Sequence, residues 1–124
     1  MSERNKEILK EYIERVWNNG DVSVIEQYAH PDWFSKGLRL DGTLEGYDGI
    51  RQNVLTTREA LKNLKIAFKD IIGEGNKVAS RIVITGINSE TGKKVYVDEL
   101  MIHEFVDGKV KRVWSMGSEQ KELD

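Results

Sequence analysis

Apolar positions near the front of the chain recur every three to four residues. Ile8, Leu9, Tyr12, Ile13, Val16 and Trp17 form one stripe, which is the spacing of an amphipathic helix. The pattern predicts a helix over about 3–18, ended by Asn18-Asn19-Gly20-Asp21. Ser23 with Glu26 three residues later reads as a capping box. It opens a short second helix through Ile25 and Tyr28, which His30-Pro31-Asp32 stops, since the residue before proline disfavours helix. Residues 33–40 read as extended and Asp41-Gly42 as a turn. Asp48 is placed to cap a third helix over 49–61, with Ile50, Val54, Leu55 and Leu61 inward.

From residue 64 the helical period disappears. Strands are predicted over 64–72, 77–88, 93–106 and 109–118, separated by turns at 73–76, 89–92 and Asp107-Gly108. The last of these is a strong two-residue hairpin signal. Helices first and hairpins later mean an α+β domain with a mostly antiparallel sheet. No linker or internal repeat divides the chain, so 1–124 reads as one domain.

The hairpins predict a register. Asp107-Gly108 sets Phe105 opposite Val110, His103 opposite Arg112, Met101 opposite Trp114 and Glu99 opposite Met116. Glu104 then meets Lys111 on the other face. The 89–92 loop sets Ile84 opposite Val97, Ile82 opposite Glu99 and Ser80 opposite Met101. A one-residue bulge at the 73–76 turn keeps Phe68 opposite Ile82 and Asp70 opposite Ser80. One face then collects Ile66, Phe68, Ile72, Val78, Ile82, Ile84, and with them Val97, Met101, Phe105, Val110, Trp114 and Met116. The helices should cover it. The other face keeps Ala67, Ile71, Val83, Leu100, Ile102 and Val113, so a homodimer through that outer face is expected.

Composition narrows the partners. Hydrophobic residues are 39% and charged residues 32%, an ordinary globular balance. Nineteen basic against 21 acidic residues leave a net charge of −2, so no positive field is available for nucleic acid. Without cysteine there is no disulfide or thiolate chemistry. No apolar run reaches the roughly 20 residues of a membrane span, and the charged start has no signal-peptide apolar region. The expectation is a cytoplasmic protein. Two histidines, 30 and 103, without ligand spacing argue against a metal, and no phosphate loop, dinucleotide fingerprint or nucleophile elbow is present.

The polar residues on the inward face are the candidate chemistry. Glu99, among Ile82, Val97, Met101 and Met116, should have a raised pKa, which makes a carboxyl a general acid or base near neutral pH. Its plainer reading is a place near the sheet rim or beside a cation. His103 lies about 13 Å along the strand, so both reach one ligand without touching. Its plainer reading is a surface cluster with Arg112. Asp70 reads either as a pocket group or as a structural acid beside Ser80.

The ordered motifs resemble nuclear transport factor 2-like domains of the SnoaL-like polyketide cyclase and ketosteroid isomerase type. They are Val16-Trp17-Asn18-Asn19-Gly20-Asp21, Gly46-Tyr47-Asp48-Gly49-Ile50, Lys69-Asp70-Ile71-Ile72 running to Gly75-Asn76-Lys77-Val78, then Thr91-Gly92-Lys93-Lys94-Val95 and Phe105-Val106-Asp107-Gly108-Lys109-Val110 with Trp114. The resemblance implies a cone-shaped α+β barrel, a curved sheet wrapped around three helices, with an apolar pocket and outer-face homodimers. It implies acid–base chemistry without metal or cofactor on a small apolar ligand: isomerisation, cyclisation, dehydration or epoxide hydrolysis. Fold alone does not decide between such an enzyme and a non-catalytic binding or interaction module. Ketosteroid isomerase is itself a standard illustration of carboxyl tuning.

Four positions depart from the resemblance. Ser118 stands where cyclases tend to carry an acid, Lys36 where several members carry His or Asp, Met101 where isomerases carry a buried acid, and Glu99 where cyclases more often have something small. The candidate catalytic set is Glu99 and His103, read from the inward sheet face, with Tyr12 or Lys36 polarising an oxygen. Tyr12 stands where isomerases keep a tyrosine; its plainer role is packing, and that of Lys36 is to reach water. Trp33, Phe68, Asp70, Met101, Trp114 and Met116 would line the pocket.

Overall fold

The computed structural model describes residues 2–37 and 44–123. The extended stretch expected at 38–40 and the Asp41-Gly42 turn lie outside them. The first helix, α1 (Ser2–Tyr12), runs on as a wide π-helical segment (Ile13–Asn18), whose end is marked by Asn19 N–H donating to Glu14 O at 2.9 Å. Leu9, Tyr12, Ile13 and Val16 are buried along it, as the periodicity predicts.

The Asn18-Asn19-Gly20-Asp21 stretch does more than end a helix. The Asn18 amide completes a strand edge: Ile66 N–H donates to Asn18 Oδ1 at 2.7 Å and Asn18 Nδ2 donates to Ile66 O at 3.1 Å. Arg58 Nη1 donates to Trp17 O at 2.7 Å and Asn18 O at 2.9 Å, placing a cation on the negative end of the helix. Gly20 (φ +72°) has no space for a side chain, since a Cβ there would stand 2.7 Å from Arg58 Nε. Asp21 then caps the next turn, accepting from Ser23 N–H at 3.1 Å. The expected Ser23–Glu26 box is therefore replaced by an Asp21 cap two residues earlier. A 3-10 turn (Val22–Val24) leads into α2 (Ile25–Tyr28).

The strands are β1 (Ala29–Gly37), β2 (Leu44–Glu45), β3 (Leu61–Glu74), β4 (Lys77–Asn88), β5 (Lys94–Val106), β6 (Lys109–Gly117) and β7 (Lys121–Glu122). Between β2 and β3 lies α3 (Gly46–Ala60). It starts before Asp48, which pairs with Arg51 at 2.6 Å instead of capping. Ile50 and Val54 are buried as expected, but Leu55 is 51% exposed. The strand order is β2-β1-β6-β5-β4-β3, with β7 added beside β5. All pairings are antiparallel except β1 with β6. The sheet is curved and open, with the helices on its inner face.

Two bulges correct the expected register. The β3–β4 turn is a tight one at Gly75-Asn76, and the extra residue is Lys69, not one in the turn. Phe68 does face Ile82, but Asp70 faces Arg81 and Ile71 faces Ser80. Asp70 therefore points outward, bonded to Arg81 Nε at 2.8 Å, and not toward Ser80. Ile72 goes with it and is 67% exposed, while Ile71 packs on the core.

The second bulge is Lys111. Asp107 (φ 52°) and Gly108 (φ 76°) make the expected tight turn, with Phe105 opposite Val110. Glu104 then faces Arg112 and His103 faces Val113, one residue out of the expected phase. A one-residue slip exchanges the two faces of a strand. Val113 turns inward and is buried, and Trp114 and Met116 turn outward. Glu104 pairs with Arg112 at 3.6 Å rather than with Lys111. The 89–92 loop gives the predicted register without correction.

Candidate functional site

The concave face of the sheet and the helices enclose a cavity of about 530 Å³. Its floor is Ile66, Ile82, Ile84, Met101 and Val113 from four strands. Tyr12, Ile13 and Trp17 close one side, the last two from the π-helical segment. Trp33 and Ser35 from β1 close another. The remaining wall is α3, which presents Gln52, Asn53, Thr56 and Thr57.

Glu99 and His103 both line this cavity. They project from β5 on the same face, four residues apart. Glu99 stands opposite Ile82 on β4 and Gly117 on β6. Gly117 leaves it room, since a Cβ there would come within 3.0 Å of Glu99 Oε1. Burial pushes the Glu99 carboxyl above the usual range. His103 is 3% exposed and burial pulls its pKa down to about 4, so the imidazole is neutral at pH 7. The surface cluster with Arg112 does not form. Tyr12 is buried, and desolvation pushes its phenol up to about 12, with a hydrogen bond from Trp17 acting the other way. It therefore stays protonated and can donate.

The other expected pocket residues divide. Trp33 and Met101 line the cavity. Phe68 packs on the core without lining it. Lys36 is exposed and is not on the wall, because Ser35 is the β1 residue whose side chain turns in. Asp70, Trp114 and Met116 lie on the outer face for the bulge reasons above. Ser118 is held by the backbone, its Oγ accepting from Asp98 N–H at 3.0 Å and donating to Glu119 O at 2.9 Å. The α3 wall and Ser115 are additions that the sequence reading misses. The polar spacing of Gln52, Asn53, Thr56 and Thr57 on one side of a helix is a signal that could have found the wall.

Among the described residues no group of three or more acidic or histidine side chains is arranged to hold a metal ion. No described helix is long and apolar enough to cross a membrane.

On the outer face a shallow groove of about 500 Å³ is lined by Ile72, Leu100, Ile102, Trp114 and Met116, with Arg81 and Asp70 at its edge.

The model of the SnoaL-like polyketide cyclase family matches residues 7–121. No curated protein matches the chain. Solved structures similar to it include a candidate SnoaL-like polyketide cyclase from Jannaschia sp. CCS1, at TM-score 0.85 and 17% identity over 94% of this chain and 87% of that one. AclR, a candidate hydroxylase from Streptomyces galilaeus, superposes at TM-score 0.81 and 25% identity, over 95% of this chain and 77% of its own. An LEH-like epoxide hydrolase from M. tuberculosis superposes at TM-score 0.77 and 10% identity, over 94% and 84%.

Proposed function

The chain belongs to the SnoaL-like polyketide cyclase family, and from that premise we propose that its cavity is the active site of an acid–base enzyme for a small, largely apolar molecule. The observation that carries the reading is a single carboxyl, Glu99, desolvated in an apolar cavity that also holds a neutral imidazole and a protonated phenol. As carboxylate, Glu99 takes a proton from a carbon beside a carbonyl. The electron pair moves onto the carbonyl oxygen, where Tyr12 donates a hydrogen bond to the forming enolate. The protonated Glu99 returns the proton to another carbon, giving isomerisation, or the enolate carbon attacks a second carbonyl and the alkoxide so formed takes the proton back from Glu99, giving ring closure. Protonated Glu99 serves equally as the acid for an epoxide: it protonates the ring oxygen as water attacks the ring carbon and the C–O bond breaks, and the added water gives its proton to solvent. His103 orients the ligand by hydrogen bonding. The chemistry asks for no cofactor.

Glu99→Gln keeps the shape and removes the base. Across a panel of carbonyl and epoxide substrates it is expected to lower turnover roughly a hundredfold or more. Turnover at the wild-type level removes Glu99 from the mechanism. One observation favours a second reading: Ser118 is tied into the backbone where cyclases of the family tend to carry an acid. In a protein that binds without catalysis, no turnover appears across the panel and Glu99→Gln changes only ligand affinity. We also propose that the outer groove is covered by a second copy of the chain.

A further inference from the structure

The π-helical segment is held at its end by a side chain from another element. A helix end leaves its last carbonyls without partners inside the helix. Two of them are met by the chain that follows: Glu14 O accepts from Asn19 N–H at 2.9 Å and Arg15 O from Asp21 N–H at 3.0 Å. The carbonyls of Trp17 and Asn18 go instead to Arg58 of α3, whose Nη1 donates to them at 2.7 and 2.9 Å. The guanidinium also lies against Gly20, where a Cβ would stand 2.7 Å from Nε and 3.0 Å from Cζ. A permanently charged group with several fixed donors is well matched to two adjacent carbonyls.

The residues tied in this way stand at the cavity wall. Trp17 lines the cavity, and so does Thr57, the neighbour of Arg58 on α3. Ile66 belongs to the floor, and its N–H and carbonyl are both bonded by the Asn18 amide, at 2.7 and 3.1 Å. Three elements far apart in sequence, the π-helical segment, α3 and β3, are therefore joined at Trp17-Asn18 by one guanidinium and one amide. Each contributes a lining residue at or beside the position where it is anchored. Arg58 itself is not among the lining residues.

We propose that Arg58 is a positioning residue of the cavity: by holding the Trp17 and Asn18 carbonyls it fixes the Trp17 side of the wall against α3 and the floor, and so tunes what the cavity accepts. This rests on the cavity being the ligand site and adds a residue that acts on it through Trp17 without touching the ligand. Packing against an indole is sensitive to the placement of the ring, so a shift of the Trp17 backbone is read directly by an aromatic ligand.

The three tryptophans of the chain make the test direct. Trp17 and Trp33 line the cavity and Trp114 is on the outer face. Proton–nitrogen correlation spectra of the full chain report all three indole N–H groups, and the probe is 2-naphthol, an uncharged aromatic molecule. In the wild type 2-naphthol is expected to shift the Trp17 signal and leave Trp114 in place. Arg58→Met keeps an unbranched side chain and removes the donors. It should move the Trp17 signal of the free protein, leave Trp114 in place and weaken 2-naphthol about tenfold. Arg58→Lys, which keeps a charged donor, should recover part of that affinity. Gly20→Ala pushes the guanidinium away from the other side and should act like Arg58→Met, and the double variant should bind about as weakly as Arg58→Met alone. A merely structural Arg58 would lower the melting temperature and leave the Trp17 signal and the affinity of the folded chain unchanged, and that result overturns the proposal. Equal movement of all three indole signals in Arg58→Met overturns it too, since it means a general loosening. If 2-naphthol does not move Trp17 in the wild type, the cavity reading fails and the positioning role with it. Should Arg58→Met not fold, Arg58→Lys and Gly20→Ala carry the same comparison.

Discussion

Glu99 and His103 are pushed in opposite directions by the same cause. Burial disfavours the charged form of each, raising the carboxyl and lowering the imidazole to about 4. The signs of their contributions to stability follow. His103 has a folded pKa below its ordinary value of 6.5, so its contribution is present above that value and is lost as pH falls toward 4. The loss is on the order of 3 kcal/mol once both states are protonated. His103→Phe should flatten the fall in melting temperature between pH 6.5 and 4, and calorimetry across that window checks it. Glu99 has a folded pKa above its ordinary value of 4.5, so its contribution is present below that value and is lost as pH rises through the folded pKa. Glu99→Gln should therefore match the wild type near pH 4 and exceed it in stability at pH 8. A wild type that stays the more stable at pH 8 means that Glu99 is not desolvated. Both residues are legible in the sequence because their inward placement needs only the β4–β5 register, which the 89–92 loop fixes.

At the scale of elements, legibility ends where a single residue is inserted. The strands from β3 to β6, the Asp107-Gly108 turn and the three helices follow from period and turn chemistry, whereas β1 starts at Ala29, four residues before the expected stretch, Leu61 belongs to β3 and not to the third helix, and the two-residue β2 and β7 carry no periodic signal. Bulges leave no such mark. Val110 to Met116 reads acceptably in either phase, since Val113 and Ser115 alternate with Trp114 and Met116. The cost of burying Arg112, which the unbulged register would turn inward, favours the phase observed. Asp70 escapes a sequence reading for the same reason, one bulge at Lys69 having turned it outward onto Arg81. The helical segment that carries Trp17 has its own support. Asn18 bridges the helix end to β3 through two backbone bonds, and Arg58 ties α3 to the same end. Asn18→Ala leaves Ile66 without these partners and should cost about 1–3 kcal/mol. Denaturant unfolding of that variant measures the loss. A midpoint equal to the wild type would mean that water replaces the side chain freely.

The whole molecule presents one face that its own helices leave open. Across it Ile72, Ala79, Ile102 and Trp114 stand in register as an apolar row. Ile72, Leu100, Ile102 and Met116 are 67%, 60%, 43% and 51% exposed. Contiguous apolar exposure of this kind marks an interaction surface. Beside that row runs Glu74–Lys77–Glu104–Arg112, paired strand to strand with alternating sign. On the other side, Arg81 lies between Asp70 at 2.8 Å and Asp98 at 4.0 Å. A face with an apolar centre and rims of both signs is suited to its own copy turned by a twofold axis, which sets each rim against charges of the opposite sign. The bulge at Lys111 also decides which substitution tests this. Val113 is buried inward, so a charge there would damage the fold, whereas Ile102 is on the open face. The wild type should sediment at twice the 14.2 kDa chain mass, and Ile102→Asp at the chain mass with an unchanged circular dichroism spectrum. A wild type that sediments as a single chain at assay concentrations would leave the groove to another occupant, and the cavity on the opposite face of the sheet would then work in a monomer.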